Sequence, residues 1–122
     1  MKSTVVGSFP AEESAPSNFK DKLLNSLGSY DPFRQAIKSS VIAQLDAGVD
    51  IVSDGQVRGD MVSIFTKYIP GMKIVDGNTE IVSKIRNPTQ EISVKDLQYA
   101  KKVIKAMYYS MLILFAFYTR DR

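Results

Sequence analysis

Two short polar loops carry the residues best suited to chemistry, Gly7-Ser8-Phe9-Pro10 and Asp54-Gly55-Gln56-Val57-Arg58-Gly59-Asp60. Each follows a short β-type run. If those runs are neighbours in a parallel sheet, both loops open on the same face. Gly7, Ser8, Asp54, Gln56, Arg58 and Asp60 then converge, although about fifty positions separate the loops. Such a group suits a small amino acid. Backbone N–H groups beside a glycine and the Ser8 hydroxyl hold a carboxylate. Gln56 and Asp60 accept hydrogen bonds from an ammonium group. Each loop also has a plainer reading, in which Gly7-Ser8 is only a turn and Asp60 only caps the next helix.

Other chemistries find less support. The sequence has no cysteine and no histidine. It therefore offers no disulfide, no thiolate or imidazole metal ligand, and no imidazole base to activate a serine. Asp50, Asp54 and Asp60 are oxygen donors, but their spacing matches no closed cation loop. The formal charge of +3 comes from 16 basic and 13 acidic residues that are interleaved rather than gathered into a stripe, so no nucleic-acid partner is expected.

The elements that would position these loops follow from spacing. Ser3 to Val6 and Val49 to Ser53 read as strands, and Asp50 in the second needs an edge or a partner. Phe19, Leu23, Leu24 and Leu27 recur at helical spacing, and Gly28 closes that segment. Asp31 is placed to cap a second helix with Pro32 in its first position, and Phe33, Ile37, Val41 and Leu45 form its buried stripe up to Gly48. A third helix runs from Met61 to Ile69. Lys73 to Val75 and Glu80 to Ile85 flank Asp76-Gly77-Asn78-Thr79, a hairpin signal. Ser93 with Asp96 reads as a capping box for a last helix through Leu97, Ala100, Ile104 and Met107. Strand–helix alternation predicts an α/β fold with a parallel sheet.

Thr4-Val5-Val6-Gly7-Ser8-Phe9-Pro10 resembles the opening of the catalytic barrel of cobalamin-independent methionine synthase, in the shorter archaeal-type form. Gln44 to Gln56, Arg58-Gly59-Asp60-Met61-Val62, Lys84-Ile85 and Ile92 to Lys101 continue the likeness, over roughly residues 3 to 105. The resemblance implies an incomplete (β/α)8 TIM-type barrel, with its first strands and helices plus an inserted hairpin. It implies methyl transfer to homocysteine, whose thiol is ionised by zinc. It places Val6, Gly7 and Ser8 on the amino acid part of homocysteine, and puts Gln56 where the family usually has a glutamate for the amino group. The family's zinc ligands are histidine, cysteine and glutamate, so zinc is expected for the complete enzyme and no cofactor for this chain.

Residues 106–122 form an atypical apolar tail with no counterpart in that family. The expectation is a fragment truncated near residue 105, as by a frameshift, that lacks the zinc site and is inactive alone. A non-catalytic amino-acid-binding or interaction module is the alternative. Homocysteine or methionine is the expected ligand. An open barrel edge predicts self-association or a complementing polypeptide. The tail is short for a membrane span, which needs about 20 apolar residues. The N-terminus turns to Gly and Pro too early for a signal peptide, so a cytoplasmic location is expected.

Overall fold

The structure is a computed structural model that describes residues 1–120, with the side chains of Met61 and residues 110–120 left aside. In chain order the elements are α1 (Phe19–Ser26), α2 (Arg34–Asp46), α3 (Met61–Tyr68), β1 (Met72–Val75), β2 (Asn78–Ile81) and α4 (Val94–Arg120). The described residues combine α and β elements, and their core forms where α2 packs against α4.

Helix α2 holds the centre. The four-residue spacing buries Ile37 and Val41, which are 1% and 0% exposed, and leaves Phe33 and Leu45 partly buried at the ends of the stripe. Ala100 and Val103 of α4 and Val57 of the loop complete the cluster. The helix starts later than its sequence suggests. Asp31 accepts a hydrogen bond from the Phe33 N–H at 3.1 Å, but regular helix begins only at Arg34.

A second face of α2 is buried and polar. Ser40 and Gln44 are 2% and 1% exposed. The Gln44 carboxamide lies along Ser53 as a neighbouring strand would: its Nε2 donates to Ser53 O at 3.1 Å, and its Oε1 accepts from Ser53 N at 2.9 Å. One helical turn earlier, Ser40 Oγ donates to Asp54 O at 3.1 Å. Gly55 passes so close that a Cβ there would stand 2.2 Å from Ser40 Oγ, and its φ of +82° is one that side chains oppose.

The two expected parallel strands meet at one isolated parallel bridge, Thr4 with Ile51. Ile51 N donates to Ser3 O at 3.0 Å, and Thr4 Oγ1 to Ile51 O at 3.0 Å. Asp50 has both the edge position and the partner it needs, since its Oδ2 accepts from Ser3 N at 2.7 Å and Ser3 Oγ at 2.9 Å. A parallel ladder grows when both faces are covered. Val6 and Ile51, at 94% and 54% exposed, have no such cover among the described residues.

Two further expectations change, for the hairpin and for the start of α4. The hairpin is tighter, with Asp76-Gly77 alone forming the turn between Val75 and Asn78. Their φ values of 48° and 81° match a two-residue primed turn, which follows the twist of the strands. Helix α1 is capped by Asn18, whose side chain accepts from Asp21 N, and its apolar stripe lies open, with Phe19 83% and Leu27 68% exposed. The capping box at Ser93 does not form. Ser93 takes a φ of +61°, and Asp96 turns to Arg58. The tail continues α4 as helix as far as Arg120. No helix among the described residues is long and apolar enough to cross a membrane.

Gln44→Leu keeps the side chain's bulk but leaves the Ser53 N–H and C=O without their partner. The expected loss is about 2 kcal/mol, read as a lower urea midpoint at unchanged m. An unchanged midpoint would show that the amide does not hold strand to helix.

Candidate functional site

The loop at residues 53–60 is set by its own side chains as well as by α2. Asp54 Oδ1 accepts from the Gln56 N–H at 3.1 Å, and Ser53 Oγ accepts from the Gly55 N–H at 3.2 Å. These bonds hold Gln56 at a φ of +49°, which a residue with a side chain seldom adopts. The first loop is tied to it directly, since Phe9 N donates to Gly55 O at 2.8 Å.

A cleft of about 390 Å³ opens between these loops. Val6, Gly7, Ser53, Asp54, Gln56 and Arg58 line it, with Ile64 and Phe65 of α3 forming an apolar wall. Val6, Gly7 and Gln56 are therefore brought together as their positions at two strand ends suggest. Ser8 and Asp60 stand outside that lining. Asp60 is the N-cap of α3, accepting from Val62 N at 2.9 Å and Ser63 N at 3.0 Å, with Ser63 Oγ also on its carboxylate. The Ser63 hydroxyl and amide hold its carboxyl below the usual range.

Sequence reading missed the partner of Arg58. Its Nε donates to Asp96 Oδ2 at 2.6 Å and its Nη2 to Asp96 Oδ1 at 2.8 Å, a two-pronged pair. Nη2 also reaches Asp31 Oδ2 at 2.6 Å, and the guanidinium lies 5.3 Å from the Phe33 ring centre. The Asp96 bonds, working against burial, raise the Arg58 pKa further and keep it charged. Three segments meet there: the entry to α2, the site loop and the start of α4. The signal that could have found this was the isolated Arg58 in an acidic loop, but nothing local pointed across 38 positions to Asp96.

Zinc does not fit the residues of this chain. There is no thiolate or imidazole donor in the sequence, and no cluster of three acidic side chains arranged for a metal among the described residues. The three aspartates considered as oxygen donors are also dispersed in role. Asp50 is bound by Ser3, Asp60 caps α3, and Asp54 supports the Gln56 turn.

The sequence belongs to a known class of proteins. The profile of the cobalamin-independent synthase catalytic domain matches residues 1–114, and the chain is a member of that family. It is 50% identical over 107 residues to the methionine synthase of Methanothermobacter thermautotrophicus, covering 88% of this chain and 35% of that protein. The methionine synthase of Methanocaldococcus jannaschii is 42% identical over 109 residues, 88% of this chain and 33% of the relative. More distant is the 5-methyltetrahydropteroyltriglutamate–homocysteine methyltransferase of Buchnera aphidicola, 31% identical over 75 residues, 58% of this chain and 10% of that protein. The chain thus spans about a third of the length of its archaeal relatives. No solved structure matches it.

Burial works against the Asp31 charge, but the Arg58 hydrogen bond and charge, the Phe33 amide and Arg34 together lower its pKa from 3.8. A lowered carboxyl pKa contributes stability that is complete above the unfolded value and disappears as pH falls through the folded one. Thermal midpoints should therefore drop as pH is taken below about 4, and Asp31→Asn should flatten part of that slope. Arg58→Ala should cost about 2 kcal/mol at neutral pH by leaving Asp96 unpaired, a figure reduced for the partly exposed guanidinium. An Arg58→Ala chain with wild-type stability would remove the clamp from the account.

Proposed function

We propose that this chain forms the amino-acid-binding end of a methionine synthase barrel. Ser3 to Val6 and Val49 to Ser53 are then the first two strands of a (β/α)8 barrel, and β1–β2 is a hairpin inserted after α3. Residues 1–105 are the barrel portion and 106–122 the atypical tail. The observation that carries the reading is the cleft at two adjacent strand ends, joined by the Phe9–Gly55 hydrogen bond of 2.8 Å. Exposed Val6 and Ile51 support it, because parallel barrel strands are covered on both faces and these two residues have no such cover among the described residues.

The ligand in this reading is homocysteine, or methionine as product. Its carboxylate lies at Val6-Gly7-Ser8, held by backbone N–H groups and by the Ser8 hydroxyl, which must turn in from outside the cleft lining to reach it. Its ammonium faces the Gln56 side-chain oxygen. Asp60 contributes through α3, whose start it fixes and whose Ile64 and Phe65 wall the cleft. Methyl transfer needs the homocysteine sulfur as thiolate, which zinc supplies in the family. This chain's own residues bind and orient the amino acid.

Calorimetric titration of the purified chain with methionine and with homocysteine tests the proposal. Binding is expected in both cases, weakened about fivefold by Ser8→Ala through loss of one hydrogen bond of about 1 kcal/mol. Absence of heat at millimolar ligand, with the chain folded by circular dichroism, overturns it.

A further inference from the structure

The cleft lining contains three ionisable side chains, Asp54, Arg58 and Asp96. Two of them answer each other. Arg58 closes on Asp96 through two nitrogens and takes Asp31 as a second carboxylate, and those are the ion pairs among the described residues. Asp54 remains, half-buried and without a cation.

Its surroundings hold it in place. The Asp54 carbonyl accepts from buried Ser40 Oγ at 3.1 Å, and Oδ1 accepts from the Gln56 N–H at 3.1 Å. Oδ2 has no hydrogen-bond donor among the described residues. Asp54 lines the same cleft as the apolar Val57, Ile64 and Phe65, so a cation entering it meets a carboxylate that no cation of the chain already holds. Gln56, next to it, offers a dipole but no charge.

We infer that Asp54 is the residue that recognises the ligand's protonated primary amine, with Gln56 as a neutral second acceptor. The ligand class is a small molecule with an ammonium at one end and an apolar thioether or alkyl arm, which lies along Ile64 and Phe65. This rests on the proposed amino-acid reading and adds to it the source of charge selectivity. Because the Asp54 backbone and Oδ1 are already fixed, ligand entry requires no rearrangement of the loop.

The test compares three probes on the wild-type chain and on Asp54→Asn, which keeps an oxygen for the Gln56 N–H. The probes are methionine, 3-(methylthio)propylamine, which lacks the carboxylate, and 4-(methylthio)butanoic acid, which lacks the amine. D54N should weaken methionine and the amine at least tenfold and leave the acid's dissociation constant within twofold. Asp54→Glu should recover part of the loss. Equal weakening of all three probes would make Asp54 a structural residue and overturn the inference. Methionine binding that D54N leaves unchanged would overturn it too, with the amino-acid reading intact. A wild-type chain that binds none of the probes defeats both.

Discussion

Much of this structure depends on one carboxamide. Gln44, on the buried polar face of α2, binds both backbone groups of Ser53 and so occupies the place of a neighbouring strand. A glutamine buried without such partners would be costly, because its amide would lose water and gain nothing. Satisfied, it sets the height of the strand end against the helix. Ser40 then fits against Asp54 O, and Gly55 slides beneath it where no Cβ has room. Only from that position does Gly55 O reach Phe9 N and bring the first loop to the second. The cleft is a consequence of this docking.

Electrostatics distributes the work around the cleft. Arg58 is shared by carboxylates from the entry to α2 and from the start of α4, so one guanidinium ties together segments that the helical core alone would leave loosely related. Its charge is compensated, and the cleft is left with the charge of Asp54. The unusual backbone at Gln56 belongs to the same arrangement. A left-handed glutamine costs of order 1 kcal/mol or more, and it persists because hydrogen bonds on its N-terminal side and the buried Val57 on the other leave little alternative.

Much of this was legible in local pattern. The four-residue spacing of Phe33, Ile37, Val41 and Leu45 marks the buried stripe of α2, and Asp60 before Met61 marks the start of α3, because period and capping act within a few residues. Asp76-Gly77 marks the hairpin for the same reason. Misreadings arise where a distant partner competes with a near one. Asp96 is spaced to close a capping box on Ser93, yet a charged guanidinium 38 positions away binds it more strongly than an exposed backbone N–H. Helix α1 forms where its spacing places it. Its stripe has the right period, but nothing among the described residues lies over Phe19 and Leu27.

By itself the sequence determined the family likeness, the positions of the helices and the hairpin, and the lack of any thiolate or imidazole donor. Those properties are carried by residue type and by neighbours along the chain. It also brought two polar loops under suspicion without separating their members. Tertiary structure decided that Val6, Gly7 and Gln56 face one cleft while Asp60 turns to α3, that Arg58 is claimed by Asp31 and Asp96, and that Asp54 keeps its charge uncompensated. Hydrogen bonds and ion pairs act through space and over a few ångströms, so their partners are fixed only when α2 and α4 have packed.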